Sequence, residues 1–127
     1  MGRDQVSVVI ADDQLHFAVA LDAILSVDRR IAVVGRAENG REAVDLAREL
    51  DPDVVLMDIA MPVMDGLEAT REIGRESPET QVIMLTGSDS RQDVSRARTA
   101  GAAGYVTKDQ ISDDLVLAIL RAVGRAG

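Results

Sequence analysis

Five short apolar runs, at 6–11, 31–37, 54–57, 81–86 and 104–107, alternate along the chain with longer stretches whose apolar positions recur every three or four residues. The short runs are rich in Val and Ile and read as strands covered on both faces. The longer stretches carry the period of amphipathic helices. In the first of them Leu15, Ala18, Leu21, Ile24 and Leu25 share a face, and in the second Ala43, Val44, Ala47 and Leu50 do. Helix starts are marked as well. Asn39 with Glu42, Asp65 with Glu68 and Ser90 with Asp93 each set a capping residue three positions ahead of an acid, and Ser112 precedes Asp113 and Asp114. That arrangement satisfies free N–H groups and places negative charge at the positive end of the helix dipole, with the acid at 42 expected to reach back to residue 39. Gly101 and Gly104 bracket the turn into the last strand. Strand and helix alternating five times predict a parallel sheet with right-handed crossovers and helices on both faces.

Composition narrows this picture. A chain of 127 residues is long enough for one core and too short for two, so a single domain over 1–127 is expected, with no linker and no second domain. One Phe and one Tyr leave the core to Val, Leu, Ile, Ala and Met. The net charge of −8, from 14 basic against 22 acidic residues, argues against a nucleic-acid or anionic-membrane surface on this chain. With no cysteine there are no disulfides and no thiolate metal sites, and no N-terminal apolar stretch has the length of a signal or membrane-spanning segment. A soluble, cytoplasmic protein is expected.

Two of the strands run into carboxylates. Val54-Val55-Leu56-Met57 ends in Asp58, and Val8-Val9-Ile10-Ala11 ends in Asp12-Asp13. An ionised carboxylate at the end of a buried run is costly unless its charge is needed. In open parallel sheets, ligands bind beyond the C-terminal strand ends where the strand order reverses. For order 2-1-3-4-5 that point lies between the first and third strands, the two that carry these acids. The fourth strand ends in Thr86 and the fifth in Thr107-Lys108, adding a hydroxyl and an ammonium to the same rim. Clustered carboxylates repel by about 1–4 kcal/mol per pair even when well screened, so a cation is expected among them. Donors that are all oxygen, with no His or Cys, favour a hard ion such as Mg²⁺. A metal, a lone nucleophilic carboxylate, an ammonium and a hydroxyl together suit phosphoryl transfer to Asp58.

In the stretches Val9-Ile10-Ala11-Asp12-Asp13, Val54-Val55-Leu56-Met57-Asp58-Ile59, Met61-Pro62-Val63-Met64-Asp65-Gly66, Leu85-Thr86-Gly87 and Gly101-Ala102-Ala103-Gly104-Tyr105-Val106-Thr107-Lys108, the chain resembles the receiver domains of two-component response regulators. The likeness covers nearly the whole chain. It is strongest to the NarL/FixJ (LuxR-type) members, through Ile10 to Gln14, Met57 to Pro62, and Lys108 followed by Asp109. The resemblance implies a flavodoxin-like (βα)5 three-layer sandwich of strand order 2-1-3-4-5. It implies that Asp58 takes a phosphoryl group from the phosphohistidine of a sensor histidine kinase. Asp13, Asp58 and the Ala60 carbonyl would hold Mg²⁺ or Mn²⁺, with Asp12 acting mostly through water, and Lys108 would pair with the phosphate. Thr86, with Gly87 beside it, would bind the phosphate once formed, and Tyr105 would turn inward as Thr86 moves. The fourth and fifth helices would then present the switched surface. Further implications are a DNA-binding output domain outside this chain and a homodimer through the first and fifth helices or through the fourth helix, fifth strand and fifth helix. This domain itself would touch neither nucleic acid nor membrane, and its only catalysis would be its own phosphorylation and dephosphorylation. The chain departs from many members at Asp109, where Pro is common and a cis bond far cheaper. Small residues, Ala60 and Ser88, flank the phosphate site.

Plainer readings stand beside these. Asp12 can serve as a helix N-cap, Tyr105 as a half-buried core aromatic, Thr86 as a strand threonine and Lys108 as a surface lysine. His16, the only histidine, reads as a solvated residue, Met57, Met61 and Met64 as core and loop packing, and Arg91, Arg96 and Arg98 as a wet helix face. Three other functions compete with a signalling receiver. A flavodoxin-like cofactor enzyme would need Gly, Ser or Thr where Asp12-Asp13 stand. A metal-dependent phosphatase would want a carboxylate at Ala60. A free-standing or degenerate receiver would act only in docking or dimerisation.

Overall fold

The computed structural model describes residues 5–87, 91–111 and 113–124. Strands β1 (Val6–Ala11), β2 (Ile31–Ala37), β3 (Val54–Asp58), β4 (Gln81–Thr86) and β5 (Gly104–Thr107) alternate with helices α1 (Leu15–Ser26), α2 (Gly40–Leu50), α3 (Gly66–Glu76), α4 (Arg91–Ala100) and α5 (Asp113–Ala122). All strand pairs are parallel, in the order β2-β1-β3-β4-β5. Because successive side chains of a strand point to opposite faces, each strand feeds two cores. Val8, Ile10, Leu56, Ile83 and Leu85 pack with Leu21 and Leu25 of α1 and Leu115 and Ile119 of α5. Val9, Val55, Met57, Val82 and Met84 pack on the other face with Ala43 and Ala47 of α2, Ile73 of α3 and Ala97 of α4. Central β3 is buried along its whole length, Asp58 included.

The edge strand β2 is irregular. Val8 pairs with Val33 but Val9 pairs with Gly35, so Val34 is an extra, bulged residue. The bulge shifts the alternation by one, so that Ile31 and Val33 serve the α1–α5 core while Ala37 serves the other.

Three of the apolar positions expected to face the core do not. Leu15 is 62% exposed because it opens α1 beyond the strand ends, and Ile24 is exposed because it lies about 120° around the helix from Ala18, outside the Ala18, Leu21, Leu25 stripe. Leu50 is exposed at the end of α2, where its Cδ1 would lie 3.1 Å from a Cβ at Gly35, so it lies over that bare glycine of the edge strand. The caps form with one change. Asn39 and Asp65 accept from the backbone N–H groups of Glu42 and Glu68 at 2.9 Å each. The carboxylate of Glu42, however, accepts from the backbone N–H of Glu38 at 2.9 Å, one residue upstream of the expected partner. The caps expected at Ser90 and Ser112, and Ser88, lie outside the described residues. Met57, Met61 and Met64 are buried, while His16 and the arginines 91, 96 and 98 are exposed. Among the described residues no helix is long and apolar enough to cross a membrane.

Candidate functional site at the C-terminal rim of the sheet

The rim is built where β1 and β3 end side by side, with Ala11 in register with Met57. The backbone N–H of Asp12 donates to the Ala37 carbonyl at 3.0 Å, extending the sheet by one bond. The residue is 2% exposed, and its Oδ1 accepts from the backbone N–H of Gln14 at 2.8 Å, just before α1 begins. Asp12 is therefore a member of the rim and not the N-cap of α1, which is Gln14 with no side-chain cap bond; its carboxylate instead makes an Asx turn just ahead of the helix. Asp58, one strand over, is 7% exposed, whereas Asp13 lies open to solvent. One carboxylate oxygen from each of Asp12, Asp13 and Asp58 falls within 4.8 Å of the others.

Lys108, the first residue after β5, enters this cluster. Its Nζ lies 2.8 Å from Asp12 Oδ2 and 3.6 Å from Asp58 Oδ2. The shorter contact is an ion pair without hydrogen-bond angles, which leaves Asp12 Oδ2 buried and lacking a hydrogen bond. Burial pushes the Asp58 carboxyl up to about 6, with the Asp12 charge adding to the rise, Lys108 opposing it and Asp13 adding a little more. Three carboxylates against one ammonium leave the rim short of positive charge, and every donor is oxygen. The residues present thus fit a hard divalent cation on the chemistry of the donor set, three carboxylates brought together against a single ammonium.

Two glycines fix the loop that follows Asp58. The Gly66 N–H donates to the Ile59 carbonyl at 2.8 Å, and the Gly40 N–H donates to the Met64 carbonyl at 2.9 Å. A Cβ on Gly66 would stand 2.1 Å from the Asp58 carbonyl oxygen, and one on Gly40 would stand 2.3 Å from that of Met64. The starts of α3 and α2 can approach the loop only because neither residue has a side chain. Met61 and Met64 anchor it from inside, while Ala60 is exposed within it.

Thr86 ends β4 in register with Thr107 of β5 and is buried, and Gly87 beside it is exposed with open space around it. Tyr105 is not in the acid cluster. It is half-buried against the α2–α4 side core and lines a cavity of about 130 Å³ with Val94, Ala97 and Arg98. After β5 the chain makes a 3₁₀ turn over Lys108–Gln110, in which Thr107 Oγ1 donates to Asp109 Oδ1 at 2.6 Å, and no peptide bond among the described residues is cis. Two further residues reach Lys108 that the sequence does not assign to the site, although Gln14 belongs to the stretch that carries the family resemblance. Gln14 Oε1 accepts from Nζ at 3.3 Å, and the ammonium sits 4.4 Å from the centre of the Phe17 ring. Beyond that, their one signal in the sequence is proximity to Asp12-Asp13, together with Phe17 being the sole phenylalanine.

Residues 8–120 match the family model of the response regulator receiver domain. The chain is 38% identical over 115 residues to the transcriptional regulatory protein LnrK of Bacillus subtilis (strain 168), covering 91% of this chain and 52% of that protein. It is 40% identical over 114 residues to the response regulator GacA of Pseudomonas aeruginosa, covering 90% of this chain and 53% of the relative. The chain thus spans about half the length of these curated relatives. Among solved structures, the signal receiver domain of the putative response regulator NarL from Mycobacterium tuberculosis superposes with a TM-score of 0.91 at 34% identity, covering 96% of this chain and 99% of that one. The sheet order and layers are those of its flavodoxin-like receiver fold.

Proposed function

Because this chain belongs to the response regulator receiver family, we propose that it relays a signal by taking a phosphoryl group onto Asp58 from the phosphohistidine of a sensor histidine kinase. One observation carries the reading: a buried carboxylate at the end of the central strand, with Asp12 and Asp13 beside it and the Lys108 ammonium 3.6 Å away. In this step an ionised Asp58 oxygen attacks phosphorus, the P–N bond to the donor imidazole breaks, and its electron pair returns to nitrogen, which solvent reprotonates. An acyl phosphate results. Lys108 pairs with a phosphoryl oxygen, and the rigid loop over Ile59 to Gly66 holds the nucleophile in line. Asp13, Asp58 and the Ala60 carbonyl would hold Mg²⁺ or Mn²⁺, with Asp12 contributing mostly through water. When bound, the ion supplies positive charge against the transferring phosphoryl oxygens.

The readout follows from the same rim. The Thr86 hydroxyl donates to the new phosphoryl group, drawing Gly87 with it, and Tyr105 turns inward to fill the space that Thr86 vacates. The α4, β5 and α5 surface is thereby switched. That surface, or α1 with α5, pairs two copies or meets an output domain. The relatives named as transcriptional regulators point to a DNA-binding output, so nucleic acid is contacted by that domain and not by this one. The setting is cytoplasmic, and catalysis is confined to the domain's own phosphorylation and dephosphorylation.

The test is intact mass after incubation with acetyl phosphate and Mg²⁺. Wild type is expected to gain one phosphoryl group in a metal-dependent manner, and Asp58→Asn none. If wild type gains nothing and also fails to bind beryllofluoride, the phosphoacceptor reading falls and a docking or dimerisation module replaces it.

A further inference from the structure

Lys108 has a long, flexible stem, and the strongest attraction on its ammonium comes from the acids of the rim, Asp58 among them. Left to that attraction it would settle on the nucleophile and tie up its lone pairs. It does not, standing 3.6 Å from Asp58 Oδ2 while touching Asp12 at 2.8 Å, Gln14 at 3.3 Å and the Phe17 ring at 4.4 Å. Three of the four contacts lie on the α1 side. We propose that Gln14 and Phe17 are positioning residues for Lys108, holding its ammonium toward α1, within reach of a phosphoryl oxygen but off the Asp58 nucleophile. This rests on Lys108 being the counter-charge to the phosphoryl group.

The device is economical in charge. A carboxamide oxygen and a ring face both attract an ammonium, yet neither adds a negative charge to a site already crowded with three. It is also braced. Asp12 Oδ1 accepts from the Gln14 N–H at 2.8 Å while Oδ2 pairs with Lys108, so one carboxylate orients both the lysine and a residue that holds it. Phe17 lies one turn beyond Gln14 on α1, and its half-buried ring packs against the α1–α5 core, which fixes the ring face presented to Lys108.

Gln14→Leu, Phe17→Leu and Phe17→Tyr in the full chain test this with two measurements. In metal-free protein, proton NMR of Lys108 should show ring-current shifts of its ε-methylene protons in wild type and Phe17→Tyr, absent in Phe17→Leu and reduced in Gln14→Leu. Phosphorylation by acetyl phosphate at saturating Mg²⁺ should slow about two- to fivefold in each Leu variant, and Phe17→Tyr, which keeps the ring, should recover most of the loss. Gln14 is exposed, so its variant tests the idea without disturbing the core should Phe17→Leu fold poorly. Leu variants that lose the ring-current shift but react at the wild-type rate would overturn the proposal. Equal slowing in Phe17→Leu and Phe17→Tyr would assign Phe17 to packing and overturn it too. Wild type that accepts no phosphoryl group and binds no beryllofluoride brings down the Asp58 reading, and the positioning role with it.

Discussion

Val63 has φ of 69° and a side chain 83% exposed. A β-branched residue in the left-handed region costs roughly 1–2 kcal/mol, and here almost no burial offsets it. The conformation persists because the loop is clamped on both sides, by Met61 and Met64 within and by the Gly40 and Gly66 N–H groups above. Val63→Asn, which tolerates that region, is therefore expected to raise the unfolding free energy by about 1 kcal/mol, read as a higher urea midpoint at unchanged slope. Glycine substitutions separate the clamp from ordinary helix effects. Gly66→Ala sets a methyl 2.1 Å from the Asp58 carbonyl oxygen, a backbone atom that no rotamer change can move. A loss of about 3 kcal/mol or more follows, with displacement of the strand end that carries Asp58. Gly74, eight residues on in α3, has nothing within 4 Å of a built Cβ. There alanine should stabilise by about 0.5–1 kcal/mol, so the same denaturation experiment gives opposite signs at two glycines of one helix.

At the level of elements, α2 tests how a helix start is held. Asn39 accepts from the Glu42 N–H, and Glu42 in turn accepts from that of Glu38. Asn39→Ala should cost about 1 kcal/mol, and Glu42→Ala less, since its bond is to an exposed residue outside the helix. The cap itself is readable from Asn39 and Glu42 alone; the shifted return bond is not, because it depends on how β2 delivers the chain to the helix. The same division runs through the fold. Strands buried on both faces announce themselves as apolar runs, and their bounds follow from sequence to within a residue at Asp58. The bulge at Val34 is invisible there, being a mismatch of pairing between two strands. On α1 the period marks Ala18, Leu21 and Leu25 correctly, yet it also admits Leu15 and Ile24, since apolarity alone does not say where the sheet stops covering a helix. At the rim, carboxylates are legible because a charge after a buried run is conspicuous. Gln14 is not, for its contact with Lys108 spans 94 positions and exists only once β1 and β5 are in place.

Across the whole molecule, charge sets the pH response. The chain carries −8 and gathers three of its acids at one rim. Asp58 has a folded value of about 6 against an ordinary 3.8, so between those values the folded protein binds more protons than the unfolded one. Stability due to this group is therefore fully present below pH 4 and is lost as pH rises through 6, an effect on the order of 1–3 kcal/mol. Asp28 runs the other way. Its carboxyl is held down to about 2 by the hydrogen bonds from Arg30, so its contribution is present above the ordinary range and lost on acidification toward 2. Asp58→Asn should thus match wild type near pH 4 and exceed it at pH 7 to 8, in thermal melts recorded in chelator. A divalent cation held as proposed would reverse the sign at Asp58, because it would favour the ionised carboxylate in the folded state alone. At a hundredfold excess over its dissociation constant it adds about 2.7 kcal/mol, and more as pH rises and protons cease to compete. Wild type in Mg²⁺ should therefore lose the decline seen in chelator, whereas NaCl at equal ionic strength, which only screens the −8, should not remove it. Asp13→Asn discriminates further: being exposed, it leaves the fold intact, yet it should abolish the Mg²⁺ response while the chelator profile keeps its shape. A decline that persists unchanged in Mg²⁺ would mean that Asp58 does not share the ion, and that burial and the neighbouring acids alone set its response.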